Sequence, residues 1–399
     1  MGAALLPPVF PEDSGVDAGA DAAMQCGYFD NGLCRSCTFM GMPYDAQITR
    51  KLDHARGLLS AWPDAKWLRP MVSRHDNFRN KAKMVVGGSA DKPTLGILDA
   101  AGQGVDLTAC GILSPGLRAA FAPIAAFISR ARITPYDVPA RRGELKHMLL
   151  TESPAGELML RFVLRSTEPL GRMRKFLPSL LADLPRIGVV TANLLPEHKA
   201  VLEGSEEIPL SGTETLAMQL EHLVLHLQPA SFFQTNTDIA AGLYQQAREW
   251  VDEVDAHSVW DLYCGVGGFA LHVAAPGRKV HGIEVSAPAV ESARLSAVEA
   301  ELSDVTFSVG DATSIQARQP PDSIIVNPPR RGLGDTLCQT LEASGPSSII
   351  YSSCNAVTLA RDLAALPSYI PKRIRLFDMF PQTDHYEIMV LLIRNAASG

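Results

Sequence analysis

The sequence predicts an α/β protein whose C-terminal part, residues 231–399, folds as a doubly wound, mostly parallel sheet. From residue 258 onward, short β-type segments alternate with helical or loop segments, as in SVWDLY, KVHGIEV, DSIIVN and SSIIYSS. This alternation is the pattern of strand–helix–strand units. A glycine-rich turn with Gly265, Gly267 and Gly268 follows the first of these strands, where Rossmann-like folds bind their ligands.

Three further segments precede this sheet. Residues 1–23 contain Pro, Gly, Ala and Asp without a basic start and are predicted to be a disordered lead. Residues 24–130 are expected to form a cysteine-rich lobe, and residues 131–230 a central α+β domain with an antiparallel sheet. The elements expected within the lobe are a helix over 44–60, a β hairpin over 78–98 and a helix over 116–130.

The composition is that of an ordinary soluble protein, with 46% hydrophobic and 20% charged residues. No apolar run approaches the roughly 20 residues that span a bilayer, and no secretory signal is evident, so a cytoplasmic location is expected. No membrane association and no obligate protein partner are expected.

Two basic clusters interrupt a chain whose net charge is -7. That charge is not typical of a general nucleic-acid coat, although an acidic enzyme can gather its cations on one face. Each cluster is either a set of RNA phosphate contacts or a solvated surface patch. The clusters are Arg79, Lys81 and Lys83, and then Arg141, Arg142, Lys146 and His147.

The ends of the first three strands of the doubly wound sheet predict an adenosine pocket. The Gly265 turn allows close backbone approach to a ligand. About 20 residues further on, Glu284 ends the second strand and can accept hydrogen bonds from both ribose hydroxyls. Asp311 ends the third strand, where it can contact the adenine amino group. Because no P-loop or phosphate-binding lysine accompanies the pocket, S-adenosylmethionine is favoured over NAD or ATP.

The fourth strand ends in Asn327-Pro328-Pro329-Arg330. Two prolines make a rigid loop with a polar side chain at the edge of the sheet that binds ligands. Amino-methyltransferases share the Asn-Pro-Pro motif, but an aromatic residue usually follows it and stacks on adenine. Here Arg330 takes that place, which counts against amino-methylation.

The fifth strand ends at Cys354, where a helix begins. The backbone dipole of a helix N-terminus can lower the pKa of a thiol and favour the thiolate, although a free cysteine is often only a buried filler. Downstream, Glu387 opens the last strand and should face the same cleft. It is either a general base or a solvated loop carboxylate.

A methyl donor, a thiolate and a base together suit methylation of uracil at carbon 5. This carbon is a poor nucleophile until a thiolate adds at carbon 6 and makes an enolate. Carbon 5 then attacks the donor methyl group, a base removes the proton from carbon 5, and the cysteine is eliminated.

Several motifs of the chain resemble those of the RNA uracil-C5 methyltransferase family, and the similarity covers nearly all of the chain past residue 24. Within that family the chain is most similar to members that act on bacterial 23S rRNA, which implies that RNA as the partner. The resemblance also implies a class I S-adenosylmethionine-dependent fold, here without the N-terminal OB-like (TRAM) domain of some relatives. The motifs are FRNKAKMVV, RRGELKHMLLTES, SFFQTN, DLYCGVGGF, GIEV, VNPPRRG, IIYSSCN and FPQTDHYE.

The resemblance also implies roles for individual residues. Cys354 takes the place of the nucleophile and Glu387 that of the base. The implied cofactor contacts are Gln234, Tyr263, Glu284 and Asn327. Asn327 departs from the family, because several relatives carry Asp at this position.

Four of the 7 cysteines form a candidate metal site. An odd number of cysteines in a cytosolic chain argues against a disulfide framework. Four thiolates can bind zinc or an iron–sulfur cluster, and their spacing does not decide between them. The resemblance favours a 4Fe–4S cluster, for which a structural role in the lobe is expected. The four are Cys26, Cys34, Cys37 and Cys110.

The predicted function is therefore methylation of carbon 5 of a specific uridine in 23S rRNA through a covalent Cys354 adduct. RNA recognition is expected from the lobe and the central domain, with Lys81, Lys83, Arg141 and Arg142 on the phosphates. Two alternatives remain open, an amino-methyltransferase of the Asn-Pro-Pro type and a catalytically silent iron–sulfur RNA-binding protein.

Overall fold

The computed structural model describes residues 23–198, 201, 203–314 and 320–395. All but the last residue of the predicted disordered lead, residues 1–23, therefore lies outside the described residues. Within the described part, most strands belong to two large sheets, and no helix there is long and apolar enough to cross a membrane.

The helices and strands follow one another along the whole described chain. The helices are α1 (Gly27–Asp30), α2 (Tyr44–Leu58), α3 (Pro115–Arg130), α4 (Leu170–Asp183), α5 (Thr237–Glu253), α6 (Gly268–His272), α7 (Ala287–Glu299), α8 (Gly334–Ser344) and α9 (Ala356–Ala364). The strands are β1 (Lys66–Trp67), β2 (Lys81–Gly88), β3 (Pro93–Leu98), β4 (Gly104–Asp106), β5 (Leu145–Glu152), β6 (Leu158–Leu164), β7 (Ile187–Leu194), β8 (Glu206–Pro209), β9 (Leu216–Leu220), β10 (Leu223–Leu227), β11 (Ser258–Leu262), β12 (Lys279–Glu284), β13 (Val305–Val309), β14 (Ser323–Val326), β15 (Ser348–Ser353), β16 (Tyr369–Phe377) and β17 (Glu387–Arg394).

The first sheet has seven strands in the order β4-β3-β2-β5-β6-β7-β8. Helices α3 and α4 pack on one face of it, where α3 contributes Leu117, Phe121 and Ile124 to a buried apolar cluster. Ser114 caps α3 by accepting the Leu117 N–H at 3.4 Å, and Pro115 opens the helix without losing a hydrogen bond. The predicted hairpin over 78–98 is confirmed as β2 and β3.

Two features of this sheet differ from the expectation of a separate antiparallel sheet over residues 131–230. Strands β6 and β7 pair in parallel, because α4 connects them and a helical crossover returns the chain in the same direction. Strand β2 pairs with β5, so strands on both sides of the predicted boundary at residue 130 share one sheet.

The second sheet has eight strands in the order β1-β16-β17-β15-β14-β11-β12-β13. Strands β11 to β15 pair in parallel, which confirms the predicted doubly wound sheet. Strand β17 is antiparallel to both of its neighbours, β15 and β16. The start of β17 therefore lies at the same edge of the sheet as the C-terminal ends of the parallel strands, as the prediction for Glu387 requires.

The segment before residue 70 also joins this second sheet. Strand β1 pairs in parallel with β16, and α2 contributes buried Ala55 to the apolar cluster that contains Leu359 of α9. Helix α2 therefore packs against the C-terminal part of the chain, although the sequence places it in the N-terminal lobe.

Candidate active site

Six of the predicted site residues lie at one edge of the eight-stranded sheet. Parallel strands that start together also end together, and the register aligns Leu262 with both Ile283 and Val326. Antiparallel pairing aligns Ser353 with Ile388, which brings the residue after β15 beside the first residue of β17. The residues that this edge gathers are Tyr263, Glu284, Asp311, Asn327, Cys354 and Glu387.

The glycine turn after β11 has the backbone that its sequence predicts. Gly265 and Gly267 have φ values of 53° and 86°, in the left-handed region that glycine adopts without strain. Tyr263 also lies there, with φ 65°, which is uncommon for a residue with a side chain. A Cβ atom on Gly268 would lie 2.4 Å from the Tyr244 hydroxyl, so the helix after the turn can pack closely only with glycine.

Glu284 is tied to this turn through both of its carboxylate oxygens. One accepts the Gly265 N–H at 3.1 Å and the other accepts the Ser286 N–H at 2.9 Å. A carboxylate has about four lone-pair sites, so two remain for other donors. Glu284 thus joins the end of β12 to the glycine turn and keeps capacity for ligand hydroxyls.

Asp261, the penultimate residue of β11, is a buried acid for which no motif predicted a role. It is fully buried, its Oδ2 accepts the Ala270 N–H at 2.9 Å, and its Oδ1 has no partner among the described residues. Burial raises the pKa of Asp261 to about 8, against the effect of that hydrogen bond. An acidic residue just before a glycine turn is the signal that could have identified it.

The remaining predicted cofactor contacts lie in different surroundings. Asp311 is exposed, and hydrogen bonds from the backbone N–H and hydroxyl of Thr313 lower its pKa. Asn327 is half-buried. Gln234 is 6% exposed, and its backbone carbonyl accepts from the Asn80 side chain at 3.1 Å. The segment before α5, to which Gln234 belongs, is therefore anchored to the residue before β2.

The chain around Cys354 is fixed by its neighbour Asn355. The Asn355 side chain accepts the backbone N–H groups of Val357 and Thr358 at 3.1 and 3.5 Å, which caps α9. It also donates to the Arg330 carbonyl at 3.0 Å. This joins the Asn-Pro-Pro-Arg loop to the turn that carries Cys354.

The thiol of Cys354 is half-buried, and its pKa differs from the predicted direction. Burial raises this pKa, the nearby Glu387 raises it further, and Arg330 lowers it. The expected lowering is therefore wrong. Cys354 precedes the capping residue, so desolvation outweighs the helix dipole.

Glu387 is almost completely buried, at 3% exposure, and its Oε2 has no partner among the described residues. Burial raises its pKa to about 8, and Arg330 opposes that shift. The alternative of a solvated loop carboxylate is therefore wrong. A carboxyl with a pKa near neutrality, beside a thiol at a sheet edge, is suited to proton transfer.

Arg330 is a candidate site residue that the sequence motifs did not indicate. Its charge acts on both Cys354 and Glu387 and lowers the pKa of each. In the sequence it appeared only as the residue that replaces an aromatic ring after Asn-Pro-Pro. Its position as the fourth residue of the loop after β14, at the edge of the sheet that binds ligands, is the signal that could have identified it.

The four N-terminal cysteines lie close enough together to influence one another's pKa. Burial raises the pKa of Cys37 to about 12, and the charges of Cys110, Cys34 and Cys26 raise it further. Tyr28, beside Cys26, accepts the Ala109 N–H at 3.1 Å and so ties the first cysteine segment to the second. Within the described residues, however, no group of three or more His, Cys, Asp or Glu side chains is arranged to hold a metal ion.

A half-buried cation, Arg79, lies close enough to these thiols to interact with their charges. Burial lowers the pKa of Arg79, and the charges of Cys110 and Cys37 oppose that shift. No ion pair of Arg79 with a carboxylate is found in the part of the chain that the structure describes. Arg79 Nε donates to the Lys81 carbonyl at 2.9 Å, and a partly desolvated guanidinium without a carboxylate partner fits four thiolates or an anionic cluster at this position.

The predicted RNA contacts lie on and next to the seven-stranded sheet. Lys81 and Lys83 are on β2, where desolvation lowers the pKa of both. Arg141 and Arg142 are exposed in the turn before β5. Lys146, also in the second basic cluster, is buried and donates to the Glu197 carbonyl at 2.7 Å.

Two families of known proteins match the C-terminal part of the chain. Residues 313–395 match the family described as tRNA (Uracil-5-)-methyltransferase, and residues 222–343 match the methyltransferase small domain.

Curated relatives and a solved structure match most of the chain. The 23S rRNA (uracil(747)-C(5))-methyltransferase RlmC of Yersinia pseudotuberculosis is 47% identical over 372 residues, which cover 92% of this chain and 99% of that protein. RlmC of Cronobacter sakazakii is 48% identical over 93% of this chain and 100% of that protein. The crystal structure of Pyrococcus abyssi tRNA (uracil-54, C5)-methyltransferase in complex with S-adenosyl-L-homocysteine matches with a TM-score of 0.77 and 26% identity, over 93% of this chain and 85% of that chain.

Proposed function

Because the chain belongs to the RNA uracil-C5 methyltransferase family, we propose that it methylates carbon 5 of a uridine in 23S rRNA with S-adenosylmethionine as donor. The relatives' names specify uracil 747, and the equivalent uridine is the proposed target. The proposed partner is 23S rRNA, and the proposed location is the cytoplasm. The described residues contain no helix that could span a membrane.

One observation carries the chemical part of the proposal, namely that a half-buried thiol and a buried carboxyl lie side by side at the ligand edge. Cys354 follows β15 and Glu387 opens β17, and the charge of Glu387 acts on the Cys354 thiol. Transfer of a methyl group to a heteroatom needs no thiol nucleophile, whereas transfer to carbon 5 of uracil does.

Cys354 starts the proposed reaction. Its thiolate adds to carbon 6 of uracil, and the electron pair of the 5,6 double bond makes an enolate. Arg330 lowers the pKa of the thiol and so increases the fraction of thiolate. S-adenosylmethionine supplies an electrophilic methyl group, and carbon 5 takes this methyl as S-adenosylhomocysteine leaves.

Glu387 completes the proposed reaction. Its carboxylate accepts the proton from carbon 5, the electrons of that C–H bond restore the 5,6 double bond, and the bond from carbon 6 to sulfur breaks. Cys354 is released as a thiolate. The raised pKa of Glu387, about 8, makes it a stronger base than an ordinary carboxylate.

S-adenosylmethionine is proposed to bind at the ends of β11 to β14 and beside α5. Glu284 has two free lone-pair sites for ribose hydroxyls, and the Gly265 turn leaves room for close approach, since a Cβ atom there would meet nothing within 4 Å. The exposed carboxylate of Asp311 is available to the adenine amino group. The proposed contacts are Gln234, Tyr263, Gly265, Glu284, Asp311 and Asn327.

The N-terminal cysteines are proposed to hold a structural 4Fe–4S cluster, as the family resemblance implies. Their mutual proximity and the half-buried Arg79 beside them support an anionic centre there. Iron and acid-labile sulfide analysis of anaerobically purified protein tests this. About four irons per chain with visible charge-transfer absorbance is the expected result. A folded protein that is colourless and free of iron would contradict it. The ligands would be Cys26, Cys34, Cys37 and Cys110.

The RNA is proposed to lie over the basic residues of the seven-stranded sheet, which neutralise phosphates without reading sequence. A paired or stacked uracil has to leave its stack to reach the half-buried Cys354. The proposed phosphate contacts are Lys81, Lys83, Arg141 and Arg142.

The decisive test is methylation of 23S rRNA from a strain that lacks 5-methyluridine at position 747. The protein should add one methyl group at that uridine, and Cys354→Ala should abolish the activity. Methylation by Cys354→Ala, or a methylated exocyclic amine in the product, would support an Asn-Pro-Pro amino-methyltransferase instead. No transfer by the native protein would support a silent RNA-binding protein.

A further inference from the structure

One face of α2 is bonded along its length to the segment that leads into Glu387. The side chains that make these bonds are three or four residues apart, which places them on one side of the helix. Each of them has a partner within residues 378–386, which connect β16 to β17, and Tyr44 and Gln47 also bond to Ser73 and Met42. The face consists of Tyr44, Gln47, Lys51 and His54.

A buried ion pair forms the centre of this contact. Lys51 Nζ lies 2.6 Å from Asp378 Oδ1, and the two side chains are 1% and 0% exposed. Lys51 also donates to the Phe380 carbonyl at 3.1 Å, and the Tyr44 hydroxyl donates to Asp378 Oδ2 at 2.6 Å. Desolvation lowers the pKa of Lys51, and Asp378 opposes that shift.

Gln47 provides a second fixed point further along the segment. Its Oε1 accepts the Gln382 backbone N–H at 2.9 Å, and its Nε2 donates to Gln382 Oε1 at 3.0 Å. Gln382 has φ 66°, a conformation that a residue with a side chain keeps only when its surroundings hold it. Phe39, two residues after Cys37, donates its N–H to the Gln382 carbonyl at 2.9 Å.

The last contact lies next to the proposed base. His54 Nδ1 is 2.8 Å from the hydroxyl of Tyr386, the residue before Glu387. The Oε2 of Glu387 has no hydrogen-bond partner among the described residues. The position of this carboxyl therefore depends on the backbone that carries it, which is held by the pairing of Glu387 with Phe377 of β16 and, one residue earlier, by the contact of Tyr386 with α2.

We propose that the α2 face, through Gln47 and Lys51, positions Glu387 for removal of the proton from carbon 5. The inference rests on the proposed function. Gln47 and Lys51 are positioning residues, since they act through the 378–386 segment and not on the substrate. A shift of about 1 Å at a reacting group can slow a step on the order of a hundredfold.

The consequence is specific to one step. Addition of Cys354 to carbon 6 and methyl transfer to carbon 5 do not require Glu387, so both still occur when Glu387 is displaced. The proton then stays on carbon 5, the electrons that would expel the sulfur are not released, and the carbon 6–sulfur bond persists. Displacing the base therefore accumulates a covalent complex of protein and methylated RNA.

Gln47→Leu is the primary variant, because it removes the bonds to Gln382, together with one to the Met42 carbonyl, without leaving a buried charge, as Lys51→Met would do. His54→Ala tests the contact at Tyr386 from an exposed position. Asp53→Asn, an exposed change on the same helix, is the control. Full-length protein is incubated with unmodified 23S rRNA and S-adenosylmethionine, and the covalent complex is measured on denaturing gels.

Gln47→Leu should increase the covalent complex at steady state about tenfold or more, His54→Ala should increase it less, and Asp53→Asn should leave it unchanged. Glu387→Gln is the reference that should accumulate most. If Glu387→Gln accumulates complex but Gln47→Leu behaves like the native protein, or loses complex and methylation together, the positioning role is refuted. If Glu387→Gln itself accumulates none, it is the proposed base that fails.

Discussion

Replacing Glu387 by glutamine should stabilise the protein in a pH-dependent manner, although it should abolish turnover. Glutamine has nearly the shape of the protonated carboxyl but cannot ionise. Burial raises the pKa of Glu387 from 4.5 to about 8. Ionising this carboxyl therefore costs free energy in the folded protein but not in the unfolded chain. The glutamine variant has no such cost.

The sign follows from where the proton is bound. Below pH 4.5 the carboxyl is protonated in the folded and the unfolded chain, so native protein and variant have similar stability. Between pH 4.5 and about 8 the unfolded chain releases the proton while the folded protein keeps it, so the stability of the native protein falls with pH. Above about pH 8 the carboxyl is ionised in the folded and the unfolded chain alike, and the stability difference between native protein and variant has reached its full value. At about 1.4 kcal/mol for each pKa unit, the largest expected difference in the free energy of unfolding is about 5 kcal/mol.

Urea unfolding of both proteins at several values between pH 5 and pH 9 measures this difference. Glu387→Gln should gain on the native protein as pH rises, by several kcal/mol in the free energy of unfolding at pH 9. Glu214→Gln, at an exposed carboxylate, is the matched control and should show no such trend. A difference for Glu387→Gln that does not change with pH, or that shrinks as pH rises, would refute the burial of this group.

Three further outcomes are expected. Arg330→Gln should move the pH profile of single-turnover methylation upward, because the cation that lowers the pKa of Cys354 is gone; an unchanged profile would contradict that role. Glu284→Gln should weaken S-adenosylhomocysteine binding roughly tenfold to a hundredfold in calorimetry, whereas the exposed control Asp304→Asn should bind normally. Arg79→Met should lower the reduction potential of the proposed cluster in a redox titration, since a cation favours the more negative reduced form. The same reduction potential in variant and native protein would show that Arg79 does not lie near the cluster.

The gathering of the proposed cofactor contacts at one sheet edge could be predicted because its signals are local in sequence. Parallel strands bring their C-terminal ends to one edge, so Glu284, Asp311 and Asn327 could be placed together from strand order alone. The glycine turn and its positive φ values follow from the same local pattern. Cys264, beside that turn, is buried in the structure.

Other features depend on contacts between distant parts of the chain, and sequence patterns do not show these. The buried state of Glu387 and its raised pKa arise from how β17 enters between β15 and β16. The raised pKa of Cys354 depends on the same packing, which a rule about helix N-termini does not include. The pairing of Lys51 with Asp378 joins residues 327 positions apart.

The parallel pairing of β6 and β7 was missed for a different reason. The two strands have the same alternation whether they pair in parallel or antiparallel, and only the helical connection through α4 decides the direction. Treating the helix between two strands as a crossover would have predicted the parallel direction correctly.

The most direct test of the central claim is trapping with RNA that carries 5-fluorouridine at the target position. Fluorine on carbon 5 cannot leave as a proton, so the adduct cannot resolve. In the presence of S-adenosylmethionine, mass spectrometry should find the methylated fluorouridine bound to the peptide that contains Cys354, and Cys354→Ala should give no complex. Methyl transfer to ordinary RNA without a trapped complex, or a complex through another cysteine such as Cys338, would contradict the assignment of Cys354 as nucleophile.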